Sequence, residues 1–270
     1  MKIQFFCPMW GLAHMNIKEM LHKIKNAGYD GIEFGFPLNS NLKNEFLEWT
    51  NKLSLQIIGQ QYDAKGNGFS EYKQNFEENL YYIASFKPLF INSQTGKDFY
   101  SFEQNLELIH LSQKIEHETG IPIIHETHRG KFPFSVTTTF KFIESIPEIR
   151  FAADFSHFCN VSESYLQDQR ENLHAIIKQS YHIHARVGHP QGPQITDPRL
   201  PEWEEAVNYH LHWWDTIIHH HHSLCTDLLT VTPEFGPAPY MFTLPETKEP
   251  VASQWDINLY MVQLLKNRYN

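Results

Sequence analysis

Four short apolar runs in this chain each close on a side chain that can hold a metal ion. They are residues 121–126 (IPIIHE), 151–154 (FAAD, with His157 three residues on), 181–184 (YHIH) and 228–234 (LLTVTPE). A short, nearly continuous apolar run rich in Ile, Val and Phe reads as a strand of a parallel sheet, covered on both faces. Its last residue is delivered to the sheet's C-terminal edge. Four such deliveries can converge on one divalent ion.

The rest of the chain repeats the pattern. Strands are predicted over residues 2–7, 31–34, 56–60, 89–92, 122–126, 150–154, 182–186 and 228–234. Helical period lies between them: Ile17, Met20, Leu21 and Ile24 recur at i, i+3, i+4 and i+7. Asn16 and Glu19 supply a capping pair for that helix, and Gly28 ends it. Ser101 with Gln104, and Ser253 with Asp256, open two more. Strands alternating with helices pair in parallel, and eight such units over 270 residues match a closed barrel, which typically takes ~250. The predicted fold is a single (β/α)8 TIM barrel spanning residues 1–270, with its active site at the C-terminal ends of the strands. An open doubly wound sheet fits less well. No Gly-x-Gly-x-x-Gly follows the first strand, and an open sheet spreads donors from four consecutive strands too widely.

Composition narrows the partners. With 41% hydrophobic and 20% charged residues, the chain can bury a sizeable core. A net charge of −9 and a pI near 6.0 disfavour a nucleic-acid partner. Cys7, Cys159 and Cys225 are odd in number and widely spaced, and are expected to be buried thiols in a reducing, cytoplasmic setting. The N-terminus lacks a signal-peptide pattern, and no run reaches the ~18 apolar residues of a membrane span.

The candidate ligands are Glu126, Asp154, His184 and Glu234. Mixed carboxylate and imidazole donors suit Mn²⁺, Mg²⁺, Co²⁺ or Zn²⁺, and the lack of cysteine among them argues against a closed structural zinc site. Asp154 is also a candidate helix N-cap. Strand alternation puts His182, His184 and Arg186 on one face. After Glu126 come His128, Arg129 and Lys131. Arg129 and Lys131 read as solvated loop cations, while Arg186 is expected to face the pocket, where it would suit an anionic substrate. Trp10, Phe34, Phe36, Phe155 and Trp255 are candidate walls. The tract His219–His222 closes a helical run from Pro201. It is expected at the bottom of the barrel, interacting with the helix dipole rather than holding a metal.

These residues carry a resemblance. The segments AGYDGIE (27–33), His125-Glu126, Asp154-Phe-Ser-His157, Ile183-His184-Ala-Arg186 and Pro233-Glu234-Phe-Gly236 resemble the xylose isomerase-like TIM-barrel superfamily of sugar phosphate isomerases and epimerases. They are closest to its branch of ketose 3-epimerases, inosose dehydratases and hydroxypyruvate isomerases. The resemblance implies that Glu126, Asp154, His184 and Glu234 bind one divalent metal ion and that His157 and Arg186 contact substrate. Glu33 and His128 are further expected substrate contacts. By the same analogy Glu126 and Glu234 are the catalytic acid/base pair of an isomerase or epimerase acting on a sugar or small hydroxy-carbonyl compound, through an enediolate. The implied partners are a small sugar or sugar acid and a homo-oligomer, with Trp203, Trp213 and Trp214 as candidate interface aromatics.

Two departures stand out. Val187 and Gly188 follow Arg186 where the family often carries an aspartate. Strands three and four carry Gln60-Gln61 and Asn92-Ser93 where the DNA-repair endonuclease branch has extra histidines. A metal-dependent lyase or hydrolase on the same fold, or a non-catalytic sugar-binding barrel, are the alternative readings.

Overall fold

The computed structural model describes residues 1–35 and 40–269. Eight strands form β1 (Lys2–Pro8), β2 (Gly31–Gly35), β3 (Gln56–Gln61), β4 (Ile91–Ser93), β5 (Ile123–Glu126), β6 (Phe151–Ala153), β7 (Ser180–His184) and β8 (Leu228–Thr232). Neighbours in sequence pair in parallel, and β8 returns to pair with β1, closing the barrel. The fold is the expected α/β TIM barrel. Register positions the site: Glu126 pairs with Ala152, and His184 with Thr232, so the C-terminal ends of β5 to β8 reach one level.

Around the strands run α1 (Ile17–Asn26), α2 (Ser40–Lys52), α3 (Phe69–Ala84), α4 (Phe102–Thr119), α5 (Val136–Ser145), α6 (Phe155–Ser162), α7 (Arg170–Lys178), α8 (Glu204–Ser223) and α9 (Gln254–Tyr269). Their boundaries follow local chemistry. The Asn16 side chain accepts the Glu19 N–H at 2.9 Å, and Gly28 follows α1 at φ +81°, a conformation a Cβ disfavours. Ser101 and Gln104 form a reciprocal capping box at α4. Ile17, Met20, Leu21 and Ile24 are all buried in the main core cluster. No helix among the described residues is long and apolar enough to cross a membrane.

The structure differs from the sequence expectation in several places. The β6–β7 connection carries two helices, α6 and α7, so nine α-helices are described rather than eight. Strand β7 starts at Ser180 and stops at His184, so Arg186 stands just beyond it. The pairing of β6 with β7 shifts register between Phe151 and Ala152, which an apolar pattern does not reveal. Trp213 and Trp214 are core residues, 4% and 1% exposed, and the Trp203 indole donates to Thr196 Oγ1 at 2.9 Å. These tryptophans therefore pack on the barrel instead of forming an exposed interface. Cys7 and Cys159 are buried, but Cys225 is exposed in the turn after α8, at φ +54°. In the histidine tract, buried His221 donates from Nε2 to the Ser180 carbonyl at 2.7 Å, at the start of β7 and thus at the end opposite the candidate ligands.

Candidate active site

Each candidate ligand is held by a strand end. Glu126 is the last residue of β5 and His184 the last of β7. Asp154 follows β6 and caps α6, accepting the Ser156 N–H at 3.1 Å, so the candidate ligand is also an N-cap. Glu234 lies two residues past β8. All four are buried, at 4% exposure or less, and one donor atom from each lies within 4.8 Å of every other. Opposite ligands of one ion stand roughly 4.2 Å apart at bond lengths near 2.1 Å.

The donor set fits a divalent cation. Three carboxylates buried together need positive charge, because burial strips their water. His184 Nδ1 lies 2.9 Å from Glu234 Oε2 and 3.9 Å from Glu126 Oε1, yet makes no hydrogen bond of acceptable geometry. Its other nitrogen faces Glu33, with Nε2 at 2.9 and 3.1 Å from the two carboxylate oxygens. A carboxylate only accepts, so Nε2 carries a proton, and Nδ1 is the nitrogen that faces the cluster, where a cation would take the place of its proton. Burial pushes Glu126 up to about 8, with Glu234 and Asp154 adding to the effect and His184 opposing it. Burial also raises Asp154 despite Arg186. Burial works against charge on His184, but Glu234, Glu33 and Glu126 hold its imidazole well above the usual range. Crowded negative charge of this kind is what a bound cation relieves.

Arg186 is the fixed cation of the site. Its Nη2 donates to Asp154 Oδ2, and to His157 Nε2 at 2.7 Å, while Nε donates to Ser156 Oγ at 3.2 Å. The Tyr240 ring covers it, with centroid 4.7 Å from Cζ. Two glutamines from the ends of β3 and β4 pin the two glutamates: Gln60 Nε2 donates to Glu234 Oε1 at 3.2 Å, and Gln94 Nε2 to Glu126 Oε1 at 3.1 Å. Asn92 donates to Glu126 Oε2 at 3.1 Å.

A cavity of about 580 Å³ opens over this cluster, and Glu126, Glu234, Arg186, His128, Gln60 and Gln94 line it. The expected substrate contacts divide accordingly. Arg186 and His128 reach the cavity. His157 does not. It is fully buried, packs against His128 with the rings tilted at 52° and 3.9 Å between centroids, and meets the site through Arg186. Glu33 is likewise no cavity residue. It is 2% exposed and also meets His182 Nε2 at 3.3 Å and Asn92 Nδ2 at 2.9 Å. Closure of the barrel turns it inward beneath His184, where it meets Nε2 instead of the cavity. Of the candidate walls, Trp10 lines the cavity, Phe34 and Phe155 are core, and Trp255 packs elsewhere, near Tyr29. Phe36 lies outside the described residues.

Sequence reasoning named Gln60 and Asn92 only as amides standing where another branch has histidines, not as partners of the glutamates, and it missed Gln94 and Tyr240. For Gln94 the available signal was its position at the end of β4. Sequence reasoning also misplaced Lys131, which is 7% exposed rather than solvated, because Phe132 N–H bonds to Thr95 O and draws the loop onto the barrel. Burial, with Lys97 nearby, lowers its ammonium to about 8. The loop at 188–194 has a role as well. Gln194 accepts the Gly236 N–H at 2.7 Å and donates to its carbonyl at 3.2 Å, bracing the segment that presents Glu234.

No family model matches the sequence, and no curated protein matches it. Solved structures do match in fold. The 3-keto-D-glucoside 4-epimerase YcjR of E. coli is 14% identical, with 98% of this chain and 100% of that chain covered, at a TM-score of 0.67. The probable 3-DHS dehydratase AsbF of Bacillus anthracis is 17% identical, with 99% and 100% covered, at a TM-score of 0.65. An AP endonuclease of family 2 from Brucella melitensis is 12% identical, with 87% and 93% covered, at a TM-score of 0.57. The chain shares with these proteins the closed eight-stranded α/β barrel fold.

Proposed function

We propose that the protein is a divalent-metal-dependent isomerase or epimerase that moves a proton at a sugar carbon next to a carbonyl. One observation carries this reading: Glu126 and Glu234 both line the cavity and both belong to the four-donor cluster. Glu126, Asp154, His184 and Glu234 would hold the ion. When bound, it supplies Lewis-acid stabilisation of negative charge developing on the substrate oxygens. The chain's own residues do the rest. The two glutamates are the groups placed to remove and return the carbon-bound proton. Gln60 and Gln94 hold one oxygen of each, which fixes carboxylate orientation without adding charge. Arg186, tethered by Asp154, Ser156 and His157, presents a planar donor face to the substrate. The enclosed cavity and the net charge of −9 support a small substrate over nucleic acid, and three unpaired cysteines suit a reducing cytoplasm.

A dehydratase begins with the same proton abstraction, and the likeness in fold to AsbF favours keeping that second reading. Solvent exchange decides. The metal-reconstituted protein, incubated in D₂O with ketoses, aldoses, inososes, hydroxypyruvate and 3-keto-glucosides, is expected to place deuterium on carbon next to the carbonyl. Glu126→Gln and Glu234→Gln should each cut that exchange by ~10²–10⁴-fold, with metal content measured on the same samples. Loss of water from the product indicates the dehydratase. Water oxygen in the product with no deuterium on carbon indicates a hydrolase and removes the isomerase reading.

A further inference from the structure

Arg129 is half-buried, where its place in the loop after β5 predicts a solvated cation. Its guanidinium covers the Tyr240 ring, with Cζ 5.2 Å from the centroid, and Arg186 meets the same ring at 4.7 Å. Arg129 does not line the cavity, but it is bracketed by two residues that do: His128, its neighbour in sequence, and Tyr240. The loop is pinned locally. His128 Nδ1 donates to the Arg129 carbonyl, and Gly130, at φ +74°, turns the chain so that the Lys131 N–H reaches the His128 carbonyl at 3.1 Å. The Arg129 side chain donates from Nη1 to Asn160 Oδ1 at 3.3 Å, and no carboxylate lies within 4.0 Å of it among the described residues. Arg186 makes its hydrogen bonds to protein through Nε and Nη2, so its Nη1 is left for another partner.

Charge points the same way. Four buried carboxylates meet here, those of Glu33, Glu126, Asp154 and Glu234. A divalent ion, Arg186 and the buried Lys131 balance them, and His184 is neutral as a ligand. Burial lowers His128, His157 and His182, so these imidazoles add no charge. Arg129 is then one positive charge in surplus. A half-buried guanidinium that faces no carboxylate carries a desolvation cost, which an anion relieves. A carboxylate on the substrate supplies a single charge in the planar shape that a guanidinium fork matches, whereas a phosphate monoester brings about two.

We propose that Arg129, held on Tyr240 beside Arg186, is an anion subsite, so that the substrate is a sugar acid whose carboxylate it binds rather than a neutral sugar. The inference rests on the sugar reading of the cavity. Its test is calorimetric titration of the metal-reconstituted protein with D-fructose, D-fructuronate and D-fructose 6-phosphate. The uronate should bind roughly tenfold to a hundredfold more tightly than fructose, the factor that a charge-assisted hydrogen bond gives, and more tightly than the phosphate. Added salt should narrow the gap. Arg129→Gln should bring uronate and fructose to within about threefold of each other and leave metal content unchanged. Tyr240→Leu removes the ring that holds Arg129 and is a second route to the same loss. Tyr240→Phe keeps the ring face and should preserve the preference. Equal affinity for uronate and fructose, tighter binding of the phosphate than of the uronate, or a uronate preference that survives both Arg129→Gln and Tyr240→Leu overturns the subsite. A uronate preference that Arg129→Gln removes, without deuterium exchange on any sugar, leaves the subsite standing and removes the isomerase reading. Exchange on neutral sugars without a uronate preference does the reverse.

Discussion

Replacing Glu33 with glutamine separates the two roles open to this residue. Glu33 takes hydrogen bonds from His184 Nε2 at 2.9 Å, Asn92 Nδ2 at 2.9 Å and His182 Nε2 at 3.3 Å, and does not line the cavity. Burial opposes its charge, yet His184 and His182 hold its carboxyl well below the usual range. Glutamine keeps the shape but loses the charge. One of its two acceptor positions becomes an amide donor, which must face an N–H of His184, His182 or Asn92. Losing the partner that orients a ligating histidine typically costs 10–100-fold in metal affinity, or about 1.4–2.8 kcal/mol. Glu33→Gln should therefore raise the metal Kd by that factor in a chelator-competition titration. At saturating metal, KM for the sugar should stay within about threefold of wild type. An unchanged metal Kd together with a raised KM would refute the positioning role and return Glu33 to the substrate contacts.

Three more outcomes are expected. Asp154→Ala should abolish metal retention through dialysis, read by elemental analysis; full stoichiometry in the variant removes Asp154 from the ligand set. His157→Asn should weaken sugar binding while the metal stays, because His157 acts by holding Arg186; loss of metal with unchanged sugar affinity counts against this. Stability should fall in mild acid through His210, whose Nδ1 donates to Ala206 O and whose Nε2 accepts the Gly188 N–H. Burial lowers its folded pKa to about 4, so between the unfolded value near 6.5 and about 4 the unfolded chain binds more protons. That costs about 2 kcal/mol at pH 5 relative to pH 7. His210→Asn should flatten the pH dependence of urea unfolding, and an unchanged slope would refute the assignment.

What the sequence revealed depended on whether the signal was local. The apolar runs ending at Glu126, Asp154, His184 and Glu234 appear as strands or strand exits because alternation and β-branching act over a few residues. Asn16 and Ser101 cap helices as expected for the same reason. Glu33 illustrates the opposite case. Its place beneath His184 depends on β2 and β7 facing each other across a closed barrel, 151 residues apart in the chain. Nothing near residue 33 encodes that meeting. Lys131 is similar, since its loop looks polar and exposed until Thr95 takes the Phe132 N–H. The tryptophans of α8 were ambiguous because an aromatic stripe has the same period whether it meets the barrel or a second subunit.

The ends of β3 and β4 show how one barrel can serve different chemistries. The fold is common to a 3-keto-D-glucoside 4-epimerase, a probable 3-DHS dehydratase and an AP endonuclease, so reaction type must come from side chains at the strand ends. Here those strands present amides. Gln60, Gln94 and Asn92 each donate to a glutamate of the cluster without adding a charge or a competing ligand. An imidazole at the same positions would offer a metal-binding lone pair and draw further cations toward Glu126. An amide only orients the carboxylate: Gln94 and Asn92 each hold one oxygen of Glu126, and Gln60 holds one oxygen of Glu234. The four donors then cluster together, and the two glutamates still line the cavity. That arrangement suits proton transfer on a small molecule better than the multi-ion chemistry of a phosphodiester.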